Sequence, residues 1–368
     1  MKKKVLLCIP NLGICNGVTT FIMSFYDSLL EHGYQVDFLL VINNYSEMES
    51  YIQERGSKIY KVPDGKKYDK RRIGYIKKVF QNETYDIVHV NFPGANGAIV
   101  LNAAKKNGVS YRVYHCHNPF NTSTAKTFIS EMLFTPLCKL RANKYVACSE
   151  AAGRTIFRNK KFEVINNAIN PAEFLFCEES RKRIRKKYQI ENSLVVGVAA
   201  RMAEQKNPLF IIKIFAQIRK ENKNAVLLWV GDGNMRERIE QACIEYNMQD
   251  AVLLVGRQSN MVEWYSAMDL FLLPSKFEGL GIVYLEAQAN GLHCFGSQCV
   301  PRETEVTERM HRISLKKKPE EWAAEILKTM EEDAGYRGIE EELFKEKNFD
   351  SRFAKNRLCE LYASFDKE

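Results

Sequence analysis

The stretch LFLLPSKFEGLGIVYLEAQANGL, residues 270–292, shows the unit from which this chain is built. It opens with a short apolar run that stops at Pro274, and it continues through a loop containing Glu278, Gly279 and Gly281. It closes on an apolar, helix-like segment that contains Glu286. A short apolar run, a polar loop and a longer amphipathic segment are typical of parallel strands covered by helices. The stretch therefore predicts an α/β fold.

The same alternation continues through the chain in two series, and the length of 368 residues favours two domains at roughly 150 residues each. The charged segment 178–193 separates the series, so we predict one domain over residues 1–172 and a second over 173–350. Its basic run 181–187 is predicted to be the solvated face of a helix. The predicted strands are 4–10, 36–41, 58–62, 86–91, 111–116, 144–149, 162–166, 194–200, 225–231, 252–256, 270–274 and 293–297.

Composition excludes several classes of protein. With 45% hydrophobic and 27% charged residues the chain is neither disordered nor fibrous. No apolar run reaches the roughly 20 residues that span a bilayer, and Pro10 ends the first apolar run, so we predict a mature cytoplasmic chain. The ten cysteines form no C-x-x-C pair, which predicts reduced thiols and neither a zinc nor a redox site.

The positive charge is concentrated in the first half of the chain. The net charge is +9, and residues 1–170 hold 24 Lys and Arg residues against 13 Asp and Glu residues. This asymmetry suggests an anionic partner, whether nucleic acid, lipid headgroups or a phosphorylated substrate, and a solvated basic surface fits equally well. No module that interleaves basic and exposed aromatic residues is apparent, so we predict no nucleic-acid partner.

Glycines and cations follow several predicted strands. Gly13 and Gly17 follow the first strand with a G-x-x-x-G spacing that fits neither a dinucleotide fingerprint nor a P-loop. Arg201 follows a strand of the second series, and Lys206 precedes a helix. Ligands of open α/β sheets bind beyond the carboxyl ends of the strands, where two cations suit a diphosphate. From these residues alone, an ordinary surface loop fits equally well.

The pair Glu278 and Glu286 narrows the choice of ligand. Carboxylates accept hydrogen bonds from sugar hydroxyls, and the glycines between them leave backbone N–H groups at a helix start free for a phosphate. A ligand that is both polyhydroxylated and phosphorylated suggests a sugar nucleotide.

Here the sequence resembles the retaining family 4 glycosyltransferases. Glu278 to Glu286 matches the E-x7-E motif of that family, and further similarities follow in the expected order along nearly the whole chain. They are Asn16 to Thr20, His115 to Asn118, Cys148 to Ala151, Ile165 to Asn170, Arg201 with Lys206, Gly231 to Gly233, Val255-Gly256 and Tyr265 to Asp269. The resemblance implies the GT-B fold, in which two Rossmann-like domains face each other across a central cleft. It also implies that a C-terminal helix, about 351–368, returns to the first domain.

The resemblance also implies roles for individual residues. Arg201 and Lys206 would bind the donor diphosphate, Glu278 would contact the donor sugar, and His117 would lie near the transferred sugar; these four are the implied catalytic residues. The implied donor-binding residues are Gly17, Gly231, Gly281, Ile282, Val283 and Glu286. Since two protein cations handle the diphosphate, the resemblance implies that the enzyme uses no metal or other cofactor.

One departure from the family pattern narrows the subgroup. His293 stands where the family usually has proline, and Glu303 or Glu305 takes a later acidic position. This pattern resembles enzymes of bacterial exopolysaccharide and capsule assembly. We therefore expect a UDP-sugar donor and a glycan or lipid-linked saccharide acceptor. The alternative is a non-catalytic sugar-nucleotide-binding subunit that assists a partner glycosyltransferase.

Two segments of the first domain could meet such an acceptor. Segment 66–80 is rich in cations, and segment 126–141 places apolar residues near Lys126, Lys139 and Arg141. A basic helix with an apolar face can lie in a membrane interface, so an anionic membrane surface is a further expected partner. The alternative is that these apolar side chains belong to the core. They are Phe128, Ile129, Met132, Leu133 and Leu137.

Overall fold

The computed structural model describes residues 3–13, 17–43, 46, 48–65, 69–118, 125–333, 337–338, 341–354 and 356–367. The chain divides into two units. The first contains Met1–Ala168 and Ser351–Glu368, and the second contains Ile169–Asp350.

The first unit is built on a parallel sheet whose strand order is β3-β2-β1-β4-β5-β6-β7. Most residues of β1, β2, β4 and β5 are buried, as expected for the centre of a sheet covered by helices on both faces. The edge strands β3 and β7 contain no buried residue. Their bounds are β1 (Lys4–Ile9), β2 (Gln35–Leu40), β3 (Ile59–Lys61), β4 (Ile87–Val90), β5 (Tyr111–Cys116), β6 (Lys144–Ala147) and β7 (Glu163–Val164).

Two layers of helices cover this sheet. Residues of α1, α2 and α15 share a core with one face of the sheet, and residues of α3, α4, α5 and α6 share a core with the other. The helix α15 packs against α1, so the chain returns to its first unit at the C-terminus. The helices of this unit are α1 (Gly17–Glu31), α2 (Met48–Glu54), α3 (Lys70–Asn82), α4 (Gly94–Lys106), α5 (Ala125–Arg141), α6 (Glu150–Phe157), α14 (Ser351–Ala354) and α15 (Arg357–Ser364).

The second unit repeats the architecture with the strand order β10-β9-β8-β11-β12-β13, again parallel. Its strands are β8 (Leu194–Ala199), β9 (Ala225–Val230), β10 (Val252–Leu254), β11 (Leu270–Leu273), β12 (His293–Ser297) and β13 (Met310–Ile313). Its helices are α7 (Glu178–Tyr188), α8 (Pro208–Glu221), α9 (Arg236–Glu245), α10 (Met261–Ala267), α11 (Ile282–Ala289), α12 (Pro319–Glu332) and α13 (Glu341–Glu346).

The α/β fold predicted from the sequence, with two Rossmann-like units, is confirmed. In both sheets the strand order reverses direction once, between β1 and β4 and between β8 and β11. Loops that leave neighbouring strands at such a point diverge to opposite faces of the sheet and leave a crevice for ligands. These two places are therefore where candidate binding residues are expected to meet.

Two details differ from the sequence predictions. The strand β13 was not predicted, because it is a short strand at the edge of its sheet and its central residues, His311 and Arg312, are polar. The basic face of α7 is only partly solvated. Arg185 and Arg181 turn inward and pair with Asp269 at N–O distances of 2.5 and 2.6 Å.

Candidate functional site

The loops after β8 and β11 bring two predicted site residues into contact. Lys206 ends the loop after β8, Glu278 lies in the loop after β11, and Lys206 Nζ donates to Glu278 Oε1 at 2.6 Å. The two residues are 72 positions apart in the sequence, and they meet because β8 and β11 are neighbours in the sheet. The carboxyl edge of the second sheet therefore carries a preformed ion pair.

The carboxylate of Glu278 is held on one side. Ser275 Oγ donates to the same oxygen, Oε1, at 2.6 Å, whereas Oε2 receives a long contact of 3.4 Å from Gln205 Nε2. Gln205 is itself anchored by a 3.0 Å bond to the carbonyl of Phe277. Glu278 is 6% exposed, so its charge is largely desolvated and needs these partners. Oε2 retains most of its capacity to accept a hydrogen bond from a ligand.

Arg201 is a second cation at the carboxyl edge of the second sheet. It lies two residues beyond the end of β8, and its side chain is exposed. Within the described part of the chain it makes no hydrogen bond or ion pair. The guanidinium is therefore available for an anionic ligand, and it can bind two phosphate oxygens at once.

The second carboxylate, Glu286, is the fifth residue of α11 and lies in the second turn of that helix. Tyr265 Oη donates to Glu286 Oε2 at 2.7 Å, and Tyr265 itself is fully buried. Burial raises the pKa of Glu286 to about 7, and the hydrogen bond from Tyr265 opposes part of that rise. Glu286 is thus a half-buried carboxyl group whose remaining oxygen, Oε1, can accept hydrogen bonds from a ligand.

The helix α11 begins with free backbone donors. Gly281 precedes it with φ +86°, a left-handed conformation that favours glycine, and no side chain caps the helix. Uncapped N–H groups in a first turn form a partial positive charge that attracts phosphate. Ile282 and Val283, predicted to meet the donor through their backbone, occupy that first turn.

Gly231 has a structural reason to be glycine. Its φ is +133°, and a Cβ atom there would lie 2.1 Å from the carbonyl oxygen of Ala200. The loops after β8 and β9 therefore pack backbone against backbone, which positions the chain just before Arg201. The predicted role of Gly231 in donor binding remains a prediction, and close packing alone explains the residue.

In the first unit, His117 lies just beyond the end of β5. Its Nε2 is 2.9 Å from Asn91 Oδ1, and Asn91 follows the neighbouring strand β4. Its ring stacks on that of His115 with centroids 4.0 Å apart. Burial lowers the pKa of His117 to about 3, so the ring is neutral at physiological pH.

His89 and His115 form a buried chain behind His117. His89 Nε2 is 3.1 Å from His115 Nδ1, and His89 Nδ1 is 2.6 Å from Tyr362 Oη on α15. The helix α15 thereby reaches the centre of the sheet. Gly17 begins α1 after β1, but residues 14–16 of the predicted glycine loop lie outside the described residues.

Several residues of these sites were not predicted from the sequence. Ser275, Gln205, Tyr265 and Asn91 each contact a predicted residue through a side chain. Asn91 had a usable signal, because it ends a strand next to the one that leads to His117. The others depend on side-chain directions that spacing does not show.

The segment 293–305, which departs from the family pattern and begins after α11, forms polar contacts within its own unit. His293 Nδ1 is 2.9 Å from His311 Nε2, and His293 Nε2 is 2.8 Å from Asp333 Oδ2. Glu305 pairs with Arg312 at 2.9 Å. These contacts join β12 to β13 and α12, so the residue that departs from the family pattern has a structural function.

Comparison with known families shows the class of protein to which the chain belongs. The model of glycosyl transferases group 1 matches residues 180–347, and that of glycosyltransferase family 4 matches residues 15–173. These matches and the two parallel sheets covered by helices therefore define a GT-B glycosyltransferase. The chain belongs to the family 4 glycosyltransferases, as the sequence motifs predicted.

Individual relatives have low sequence identity to this chain, but the matched regions are long. EpsF of Bacillus subtilis (strain 168) is 26% identical over 362 residues, covering 94% of this chain and 93% of that protein. A UDP-Gal:alpha-D-GlcNAc-diphosphoundecaprenol alpha-1,3-galactosyltransferase of Escherichia coli is 26% identical over 244 residues, or 62% of each chain. The structure of Anabaena HepE in complex with UDP and glucose matches with a TM-score of 0.80 and 17% identity, covering 98% of this chain and all of that one.

Proposed function

We propose that this glycosyltransferase moves a sugar, with retention of anomeric configuration, from a UDP-sugar to a glycan or lipid-linked saccharide of the bacterial surface. The observation that carries the proposal is the site at the exits of β8 and β11. There the Lys206–Glu278 ion pair, the free Arg201 and the uncapped start of α11 lie on one edge of one sheet.

Each group has a distinct task in this proposal. Arg201, Lys206 and the first-turn N–H groups of α11 bind the diphosphate and stabilise the charge that develops as it leaves. Glu286 accepts hydrogen bonds from the ribose hydroxyls through its remaining oxygen. Glu278 accepts one from the donor sugar through Oε2, because Oε1 is already occupied by Lys206 and Ser275. His117 contacts the transferred sugar or the acceptor.

Support for UDP as the leaving group comes from the structural neighbour. HepE was solved with UDP and glucose, and separately with UDP-glucose. A thermal-shift panel of nucleotide sugars tests the base and the sugar together, since a ligand that binds only the folded state raises Tm. We expect UDP-sugars to give the largest shift; a larger shift with GDP- or ADP-sugars would contradict the UDP assignment.

The site itself is tested by removing its cations. Arg201→Ala and Lys206→Ala should each lower UDP-sugar turnover at least about 100-fold, the range measured when one charge-stabilising group is removed. Lys213→Ala is the matched control, because Lys213 is an exposed cation on α8 within the same unit. Full turnover by both site variants would refute the assignment.

We also propose that these two cations serve in place of a divalent metal. Within the described residues no group of three His, Cys, Asp or Glu side chains is placed to hold an ion. Turnover should persist in EDTA, and a loss that Mg²⁺ or Mn²⁺ restores would contradict this proposal. Retention is tested separately, by assigning the anomeric configuration of donor and product by NMR.

A second candidate function is a non-catalytic subunit that binds the sugar nucleotide for a partner enzyme. The altered loop over residues 293–305 favours it, whereas the intact Lys206–Glu278 pair favours catalysis. Slow hydrolysis of a UDP-sugar by the purified chain, abolished in Arg201→Ala, would establish catalysis. Binding without hydrolysis or transfer to any acceptor would favour the subunit.

For the acceptor we propose a lipid-linked saccharide at an anionic membrane surface on the cytoplasmic side. Among the described residues no helix is both long and apolar enough to cross a membrane. The E. coli relative, by its name, acts on a diphosphoundecaprenol-linked sugar. The helix α5 supplies the structural support for this proposal.

The inward face of α5 carries both polar and apolar groups, and its outward face is largely apolar. Its buried side chains include Glu131, Thr135 and Cys138. Its exposed side chains include large apolar groups with exposed fractions of 42–64%. Because these groups are not buried, the protein does not gain the free energy that their burial would contribute. They are Ile129, Met132, Leu133, Leu137 and Leu140.

The charge around α5 suits an anionic surface. Residues 69–161, which form α3 to α6 and the strands between them, carry 16 Lys and Arg residues against 5 Asp and Glu residues. Exposed apolar side chains within a basic layer match a bilayer interface, where each Lys or Arg adds about 1 kcal/mol near anionic lipid.

Flotation with vesicles tests the membrane proposal. We expect binding to phosphatidylglycerol-containing vesicles at low salt, weaker binding at high salt, and loss of binding in Leu133→Ser/Leu140→Ser. Ile244→Ser is the matched control, because Ile244 is 51% exposed on α9 of the other unit. Equal flotation of the double variant and the control would refute the role of α5.

A further inference from the structure

The hydrogen bonds of Asn91 show which kind of atom, donor or acceptor, faces Nε2 of His117. Asn91 is 2% exposed, and its Nδ2 lies 3.3 Å from the carbonyl oxygen of Cys8 and 3.2 Å from that of His89. Carbonyl oxygens only accept hydrogen bonds, so the amide nitrogen must face them. The opposite orientation would place three oxygens together. Oδ1 of Asn91 therefore faces Nε2 of His117 as an acceptor.

This contact determines the tautomer of His117. An acceptor 2.9 Å from Nε2 requires a proton on that nitrogen. Because the ring is neutral, Nδ1 then carries a lone pair and no proton. Nδ1 is buried and has no hydrogen-bond partner within the described chain. A buried acceptor without a partner costs roughly 1–3 kcal/mol, so a ligand group that donates to it recovers that free energy.

We propose that Asn91 is a positioning residue that keeps the proton of His117 on Nε2, so that Nδ1 selects ligand groups that donate a hydrogen bond. Hydroxyl groups of a sugar satisfy this requirement, whereas carboxylates and carbonyl oxygens do not. The ligand-selecting part rests on the proposed function, which places His117 beside a sugar; the tautomer does not.

A second hydrogen-bond chain determines the protonation of His115, the ring that stacks on His117. Tyr362 is fully buried, so its hydroxyl hydrogen needs an acceptor, and His89 Nδ1 lies 2.6 Å away. With that bond made, His89 Nε2 carries its proton and donates to His115 Nδ1. His115 then carries its own proton on Nε2, which has no hydrogen-bond partner among the described residues. The ring stacked on His117 is thus neutral as well, and its pKa is lowered by burial, so it adds no charge that would disturb the tautomer.

The tautomer is measured on the ligand-free, full-length protein labelled with ¹⁵N at histidine. Long-range ¹H–¹⁵N correlation spectra distinguish protonated from unprotonated ring nitrogens, and His117→Gln identifies the His117 signals by their loss. We expect a protonated Nε2 and an unprotonated Nδ1 in the wild type. A proton on Nδ1, or signals averaged between the two tautomers, overturns the proposal whether or not any variant folds.

Asn91→Ala should shift the His117 signals toward an average of both tautomers and lower kcat/KM about ten-fold or more, since a wrong tautomer disables an imidazole. Asn43→Ala is the matched control: Asn43 follows β2 in the same sheet, and its Nδ2 donates to the Val62 carbonyl. Unchanged His117 signals in Asn91→Ala overturn the positioning role. Full turnover by His117→Gln, with the expected tautomer in the wild type, overturns the ligand-selecting part and the proposed role of His117 together.

Discussion

The raised pKa of Glu286 leads to a quantitative prediction for donor binding. In the ligand-free protein burial brings this pKa to about 7, so Glu286 is mostly neutral at pH 6 and mostly ionised at pH 8. The proposed contact with ribose hydroxyls needs the carboxylate. Donor binding must therefore shift the equilibrium toward the ionised form, and affinity falls as pH is lowered.

The size of the effect follows from the population of the competent form. One unit below the pKa about one molecule in eleven is ionised, so the apparent Kd at pH 6 should be about ten-fold higher than the plateau reached above pH 8. This corresponds to about 1.4 kcal/mol. The neutral Glu286→Gln variant should bind more weakly than the plateau value and should lose this part of the pH dependence.

Isothermal titration calorimetry with a UDP-sugar between pH 5.5 and 8.5 measures the effect. The diphosphate of a UDP-sugar is esterified at both ends, so it does not titrate in this range, and Glu286→Gln subtracts all other protein groups. Parallel pH profiles for the wild type and the variant would refute the reasoning. So would an affinity for the wild type that rises toward low pH.

The same pKa has an independent consequence for stability. A carboxyl group whose folded-state pKa is raised stabilises the fold below its unfolded pKa, and this contribution is lost as pH rises through about 7. Glu286→Gln should therefore gain stability relative to the wild type between pH 5 and 8, by roughly 3 kcal/mol at most. Urea unfolding at both pH values tests this; a constant difference would contradict the raised pKa.

Four further variants, one of them a control, test the packing that supports these sites, each by urea unfolding. Gly231→Ala should lose about 2 kcal/mol or more because its Cβ would collide with backbone, whereas Gly256→Ala, with positive φ but open space, should lose only about 1 kcal/mol. Arg185→Met should lose about 3 kcal/mol because it leaves the half-buried Asp269 with one partner fewer, and an unchanged midpoint would contradict the inward orientation of α7. Tyr362→Phe should lose about 1–3 kcal/mol through the buried ring nitrogen that it leaves unpaired; a neutral effect would contradict the hydrogen bond from α15.

The sequence predicted most strands to within a few residues because buried parallel strands are short apolar runs that local pattern reveals. The carboxyl ends of those strands also located Arg201, Lys206, Glu278 and Glu286, since ligand-binding loops of such sheets follow directly after the strands. The edge strand β13 was not predicted, because a strand at the edge of a sheet needs no continuous apolar run.

The helix α5 shows a limit of periodicity. Its spacing indicates that one face is apolar, and it leaves open whether that face meets the sheet or the solvent. The structure places Cys138 in the core and leaves Leu133 and Leu140 64% exposed. That outcome depends on how α5 packs against α4 and the sheet, which involves residues far away in the sequence.

The sequence by itself determined the α/β class, the family and the strand ends at which chemistry is expected. Each of these depends on patterns of residues that are close together along the chain. Only the tertiary structure decided which distant side chains meet. Lys206 pairs with Glu278 because β8 and β11 are neighbours, and Asn91 orients His117 because β4 and β5 are neighbours. Strand order, a property of the whole sheet, brings these groups within hydrogen-bond distance.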